Sequence, residues 1–176
     1  ESLCVACLFE DEALLREQLD LSDMFGARTL VIITGGFEAL KSAGHDGDID
    51  YARSLLVERL ALAAELADSY RVRLAFEPLH PMVCGFRSIV STLQESLDIL
   101  DQMDNSHDIG LAIDTYALWW EHDLQEKLKR AGRRILNYHV SDWLADTRDL
   151  RLDRGMPGDG QIALCDWRHM IEAAGY

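Results

Sequence analysis

Positive charge is in short supply in this sequence: 17 Lys and Arg stand against 31 Asp and Glu, a formal net charge of −14. A protein that grips nucleic acid usually carries a basic stripe to neutralise phosphates, so nucleic acid is excluded as a partner. No apolar run is long enough to span a bilayer, and no signal segment with a basic start is present, so no membrane partner is expected and the cytoplasm is the expected location. Cysteines number four, too few to read as a disulfide framework in a chain of 176 residues. Cys4-Val-Ala-Cys7 lacks the second pair that zinc sites of this type need, and the apolar run around it reads as holding two buried core thiols. Repeats of solenoid period, low-complexity tracts and domain-splitting linkers are absent as well.

What remains is an ordinary globular composition, 48% hydrophobic and 27% charged, long enough for one sizeable core. Strand-like apolar runs at 3–9, 29–34, 72–76, 109–113 and 135–140 alternate with segments of helical period at about 11–24, 49–70, 92–103, 122–131 and 166–174. A polar loop through Gly47 follows Gly35-Gly36, and a long polar loop with three glycines follows the fifth run. Such alternation predicts an α/β domain with parallel strands. Five strand–helix units could build an open doubly wound sheet or part of a (β/α)8 TIM barrel. A closed barrel typically needs ~250 residues, with ~200 near the lower limit. Residues 1–176 are therefore read as a single partial TIM-barrel domain, truncated at both ends.

Side-chain parity within the strands points to a site. Val72, Leu74 and Phe76 share one face, and Ala75 and Glu77 the other. Leu111 and Ile113 oppose Gly110, Ala112 and Asp114, while Leu136, Tyr138 and Val140 oppose Asn137 and His139. Each strand thus turns bulky apolar groups one way, toward the helices, and a small or polar residue and then an ionisable one the other way. Sites of α/β proteins form at the C-terminal ends of parallel strands. Taken singly, a strand-end carboxylate is commonly a helix cap or a solvated group, and a strand histidine a core residue. Together, Glu77, Asp114 and His139 make a hard-to-borderline ligand set suited to Mn²⁺, Mg²⁺, Zn²⁺ or Co²⁺.

The stretches "FEPLHPM", "AIDTYALWW", "NYHVSDWL" and "DRGMPGDG", in this order, resemble the xylose-isomerase-like TIM-barrel superfamily and above all its sugar phosphate isomerase/epimerase branch. The resemblance runs over nearly the whole chain and is strongest over 71–176. It implies that Glu77, Asp114 and His139 are three of four metal ligands, that Glu77 is also one of two acid/base glutamates, and that Arg154 holds a substrate oxygen. It implies further that the strands are the third to the seventh of the barrel, with the fourth ligand and second glutamate beyond Tyr176. The family pattern D-x-x-H is broken here, because Ala117 stands three places after Asp114. His122 lies too far on to take over that role.

These parts imply a metal-dependent isomerase or epimerase of a sugar or sugar phosphate, with a small-molecule sugar as partner. Glu77 would exchange a proton on the carbon beside a carbonyl, and a divalent ion would stabilise the enediolate that forms. His80, Arg154 and Trp119 are the expected substrate contacts, each with an ordinary alternative in a loop hydrogen bond, a surface ion pair or packing. The "RGMPGDG" glycines lack the Lys-Ser/Thr ending of a phosphate cradle and read instead as a mobile loop over the pocket. Two alternatives stand beside the isomerase: a polyol or inosose-type dehydratase on the same scaffold, and a non-catalytic metal- or sugar-binding relative suggested by Ala117. The superfamily's AP endonucleases use more metal ligands and a basic DNA face, which the acidic composition excludes.

A barrel that lacks strands leaves two edges whose backbone groups are ready to pair with other chains. Expressed alone, residues 1–176 are expected to aggregate or fold partly and to turn over no ketose, which size-exclusion chromatography and urea unfolding would register. A monomer with cooperative unfolding and full activity would show a complete domain instead.

Overall fold

Parallel strands lie side by side only when each is followed by a crossover that returns the chain to the same end of the sheet. Helices supply these crossovers in the computed structural model, which describes residues 2–9, 12–42, 44, 48–103 and 107–176. In chain order the principal elements are β1 (Ser2–Cys7), α1 (Glu12–Phe25), β2 (Thr29–Ile33), α2 (Phe37–Ser42), α3 (Ile49–Tyr70) and β3 (Arg73–Phe76). They continue with α4 (Leu93–Leu100), β4 (Ile109–Asp114), α5 (Thr115–Leu118), α6 (Leu124–Ala131) and β5 (Ile135–His139). A two-stranded ribbon, β6 (Asp142–Trp143) and β7 (Arg154–Gly155), precedes the last helix, α7 (Leu164–Ala174). Strands β1 to β5 pair in sequence order and all in parallel. The sheet is open, with β1 and β5 each paired on one side only, so it forms part of a (β/α)8 barrel rather than a closed one.

The helices form where the sequence offers both a cap and an apolar stripe. At α3 the Asp48 carboxylate accepts from the Asp50 and Tyr51 N–H groups at 3.1 and 3.0 Å. Leu56, Leu60, Ala63, Ala64 and Ala67 then fall on one face and are buried. At α4 the Thr92 hydroxyl accepts from Glu95 N at 3.1 Å, and Leu93, Leu97 and Leu100 face the core. Burying one such leucine contributes about 1.5–3 kcal/mol. No helix among the described residues is long and apolar enough to cross a membrane.

Parity divides the apolar residues between the two faces of the sheet. Leu30, Ile32, Leu74, Phe76, Leu111 and Ile113 join the large core that includes the helix side chains. Val31, Ala75 and Ala112 form a separate small cluster, packed by Val5 and Leu136 and containing strand residues alone. The second face is thus lined by small groups, and the strand ends there are open to polar residues.

Several local expectations change. The loop after Gly36 contains α2, the segment after Asp114 turns at once into α5, and the fifth run is followed by the β6–β7 ribbon rather than by plain loop. Asp11 and Gly47, expected in the first helix and in the polar loop, lie outside the described residues. Leu136 sits on the inner face and not with Tyr138. The β4–β5 register passes from Leu111↔Ile135 to Ala112↔Asn137, so Leu136 is the extra residue of a bulge. The thiols also differ from expectation: Cys4, paired with inner-face Val31, is exposed, and Cys7 is half-buried beside Ile33, where the register shift between Cys4 and Ala6 sets it away from the helix-side core.

Gly110 makes room for this bulge. A Cβ there would lie 2.1 Å from Arg134 O and 2.7 Å from Leu136 Cγ. Gly110→Ala is therefore expected to push β5 from β4 and to cost about 1–3 kcal/mol, the scale of overpacking in a close-packed interior. Urea unfolding measures it, and an unchanged midpoint would mean that β5 adjusts freely.

Candidate metal centre and adjoining cleft

Glu77 follows β3 directly, Asp114 ends β4 and His139 ends β5. Parallel register sets Asp114 beside His139, and the two-residue period brings all three side chains to the inner face. Their ligand atoms lie within 4.8 Å of one another. Glu77 and Asp114 are buried, at 7% and 2% exposure. An uncompensated carboxylate at such depth is costly, and each of the two has a cation against it. His139 Nδ1 stands 3.1 Å from Glu77 Oε1. Arg154 Nη1 donates to Asp114 Oδ2 at 2.9 Å, while Asp114 Oδ1 accepts from Tyr116 N at 2.9 Å and starts α5. Hydrogen bonds to the Cys4 side chain and to Glu77 push the His139 pKa up to about 10, against the opposing effect of burial.

Two carboxylates and an imidazole converging in this way fit a divalent ion. Oxygen and nitrogen donors suit Mg²⁺, Mn²⁺, Zn²⁺ or Co²⁺, and three protein ligands leave coordination positions for substrate or water. His139 and Arg154 now offset the negative charge that such an ion would offset.

A cleft of about 200 Å³ opens beside the triad, lined on its polar side by Glu77, His80, Arg87, Tyr116, Arg151 and Arg154. Leu79, Val83 and Leu150 form an apolar wall. The volume is below the ~300 Å³ at which drug-sized sites begin and suits a small ligand. The His80 ring stacks on Trp143 with centroids 5.1 Å apart, and its Nδ1 accepts from Met82 N at 3.3 Å. Burial lowers the His80 pKa, which favours the neutral ring with its proton on Nε2. The Arg154 guanidinium also lies over the Tyr116 ring, 4.6 Å from its centroid. Ala117, standing where the family pattern has histidine, lines the cleft as well. Trp119 does not join it. This tryptophan packs against the core and Trp143, with Nε1 buried and without a hydrogen-bond partner among the described residues.

The loop that delivers Arg154 is pinned rather than loose. Asp142 is fully buried and accepts from Trp143 N, Ile162 N and Gly158 N at 2.9, 2.9 and 3.0 Å. Burial alone would raise the Asp142 pKa, but these bonds and one from Gly160 N outweigh it and hold the carboxyl below its ordinary range. With Gly158 N committed to Asp142, this glycine run is a scaffold. Sequence reasoning missed Arg87, Arg151 and Cys4 at the site. Parity in β1 could have found Cys4, whereas the two arginines sit in loops without a periodic signal.

A family described as xylose isomerase-like TIM barrel matches residues 11–176. No match is found among curated proteins. Among solved structures, protein SMc04130 from Sinorhizobium meliloti 1021 is 38% identical with a TM-score of 0.86, over 99% of this chain and 65% of that one. The IolI protein with a binding zinc atom is 20% identical with a TM-score of 0.76, over 99% of this chain and 63% of that one. D-allulose 3-epimerase from Methylomonas sp. is 18% identical with a TM-score of 0.72, over 99% of this chain and 60% of that one. The latter two are similar in fold. This chain spans less than two thirds of the length of each of the three.

If the triad shares one ion, the intact protein should carry roughly one divalent metal per chain. Asp114→Asn and His139→Ala should each lose it while circular dichroism stays native, as elemental analysis after desalting would show. Unchanged metal content in both variants would sink the assignment.

Proposed function

The chain belongs to the xylose isomerase-like TIM-barrel family, and on that premise we propose that it serves a metal-dependent isomerase or epimerase of ketose-type sugars. The observation that carries this reading is the convergence of Glu77, Asp114 and His139 beside a cleft that also holds His80 and Arg154. Likeness in fold to an allulose epimerase and to zinc-bearing IolI supports it.

In this reading Glu77, Asp114 and His139 would hold the ion. A divalent cation supplies, when bound, the Lewis-acid stabilisation that an enediolate needs. Glu77 serves as the base. His139 steadies Oε1, and the carboxylate faces the cleft where the carbon next to the substrate carbonyl would lie. With an ion held at the triad, Arg154 would be free to turn from Asp114 toward a substrate oxygen, and Tyr116 would keep the guanidinium at the cleft. Neutral His80 offers its Nε2 proton to a hydroxyl, held in place by Trp143. The apolar wall of Leu79, Val83 and Leu150 limits water around the reacting carbon.

Ala117 favours a second reading, a relative that binds metal and sugar without turnover, since no histidine reaches the cleft from that position. A dehydratase would begin with the same proton removal and then expel water. Incorporation of solvent deuterium without net dehydration separates the isomerase from both.

Glu77→Gln keeps an oxygen for the ion and cannot accept a proton. Exchange of the substrate's α-hydrogen, followed by NMR in D₂O, should fall by ~10²-fold or more, the scale for losing a general base. Substrate binding should change less, and near-normal exchange would move the base to another residue.

A further inference from the structure

The cleft beside the triad is cationic in a protein that is otherwise strongly acidic. Three arginines line it, Arg87, Arg151 and Arg154, and Glu77 is the one carboxylate among the described lining residues. Glu77 is already matched by His139, and Arg154 by Asp114. Arg87 and Arg151 remain. Among the described residues neither guanidinium takes part in an ion pair or a hydrogen bond, although the chain has 31 acidic side chains to offer.

Both arginines stand on backbone that is fixed from below. Arg87 N donates to Val83 O at 2.8 Å, and the next residue, Ser88, bridges to Gly35 and shares a 3.1 Å hydrogen bond with Thr34. Gly36 lies so close under this loop that a Cβ on it would meet Phe86 N at 2.4 Å and Arg87 N at 2.6 Å. In the second loop, Arg151 N donates to Asp149 Oδ1 at 2.7 Å, as does Leu152 N at 2.9 Å. Asp153 accepts from Arg148 N and Asp149 N at 2.9 and 2.8 Å. The carboxylates nearest Arg151 in sequence are thus engaged by backbone N–H groups, and the turn presents the guanidinium without neutralising it.

We propose that Arg87 and Arg151 form an anion subsite, so that the substrate is a small polyhydroxy carbonyl compound bearing a carboxylate or phosphate group rather than a neutral sugar. The proposal rests on the isomerase reading above and names its substrate class. A guanidinium presents its N–H donors in a fork that fits carboxylate and phosphate alike, and such charge-assisted bonds exceed neutral ones in strength. Lining the same cleft as Glu77, the pair would fix the anionic group and so set which carbon lies next to Glu77. A local cationic patch would also draw an anionic substrate in against the repulsion of an acidic surface.

Isothermal titration of the intact, metal-free protein with inorganic phosphate, and separately with gluconate as a polyhydroxy carboxylate, tests the subsite without turnover. At least one of the two anions should bind, and the tighter one identifies the group. Arg87→Gln and Arg151→Gln should each weaken that binding by about tenfold or more, the worth of a hydrogen bond to a charged group. The double variant should abolish it, with circular dichroism and metal content on reconstitution unchanged. Binding of neither anion by the parent protein, or equal binding by the double variant, would overturn the proposal. Failure of the isomerase reading shows elsewhere, as absent α-hydrogen exchange with neutral and anionic ketoses together, and leaves these affinities standing. Exchange with neutral ketoses and none with anionic ones would keep the isomerase and remove the subsite.

Discussion

Two carboxylates, Glu77 and Asp114, are buried at the ends of neighbouring parallel strands, and much of the functional end of the molecule is organised around their charge. Removing such groups from water is tolerable only if cations or hydrogen-bond donors meet them. His139 reaches Glu77 from β5, and Arg154 reaches Asp114 from the β6–β7 ribbon. For Arg154 to arrive there, the chain after β5 must fold back, and Asp142 organises that return by gathering backbone N–H groups from Trp143, Gly158 and Ile162.

The three buried acids among the described residues differ in how they are satisfied, and the difference separates scaffold from site. Asp142 is saturated by backbone donors that cannot leave without unfolding the loop. Glu77 is met by the His139 side chain, and Asp114 keeps one backbone donor, Tyr116 N, while its other oxygen is met by the Arg154 side chain; these two side chains can swing aside and be exchanged for another cation. A metal centre needs the second arrangement, because an ion can enter only where the charges already present are displaceable.

The charge distribution extends this logic outward. The chain as a whole is acidic, yet the cleft beside the triad is lined by three arginines. The same cleft carries Ala117 in place of the family's histidine. With alanine rather than an imidazole at that position and three guanidinium groups on the same lining, the charged side chains of the cleft are mostly cationic.

How far the sequence reached can be judged from single residues. The two-residue period of a strand is local, set by the backbone pleat, so the sequence by itself determined that Glu77, Asp114 and His139 face inward while Leu74, Phe76, Leu111 and Ile113 pack on the helices. Alternation of strand and helix likewise determined a parallel sheet too short to close. Leu136 and Cys7 escaped that reading because strand register, with its shifts between Leu111 and Ala112 and between Cys4 and Ala6, is a property of two strands and cannot be seen in one. Arg87 and Arg151 escaped it for a stronger reason. They are 64 residues apart on irregular loops, and only the closure of those loops over the strand ends, held by Ser88 on one side and Asp149 on the other, brings them to one cleft. Local periodicity determined which residues the strands would present, and long-range packing decided what would stand around them.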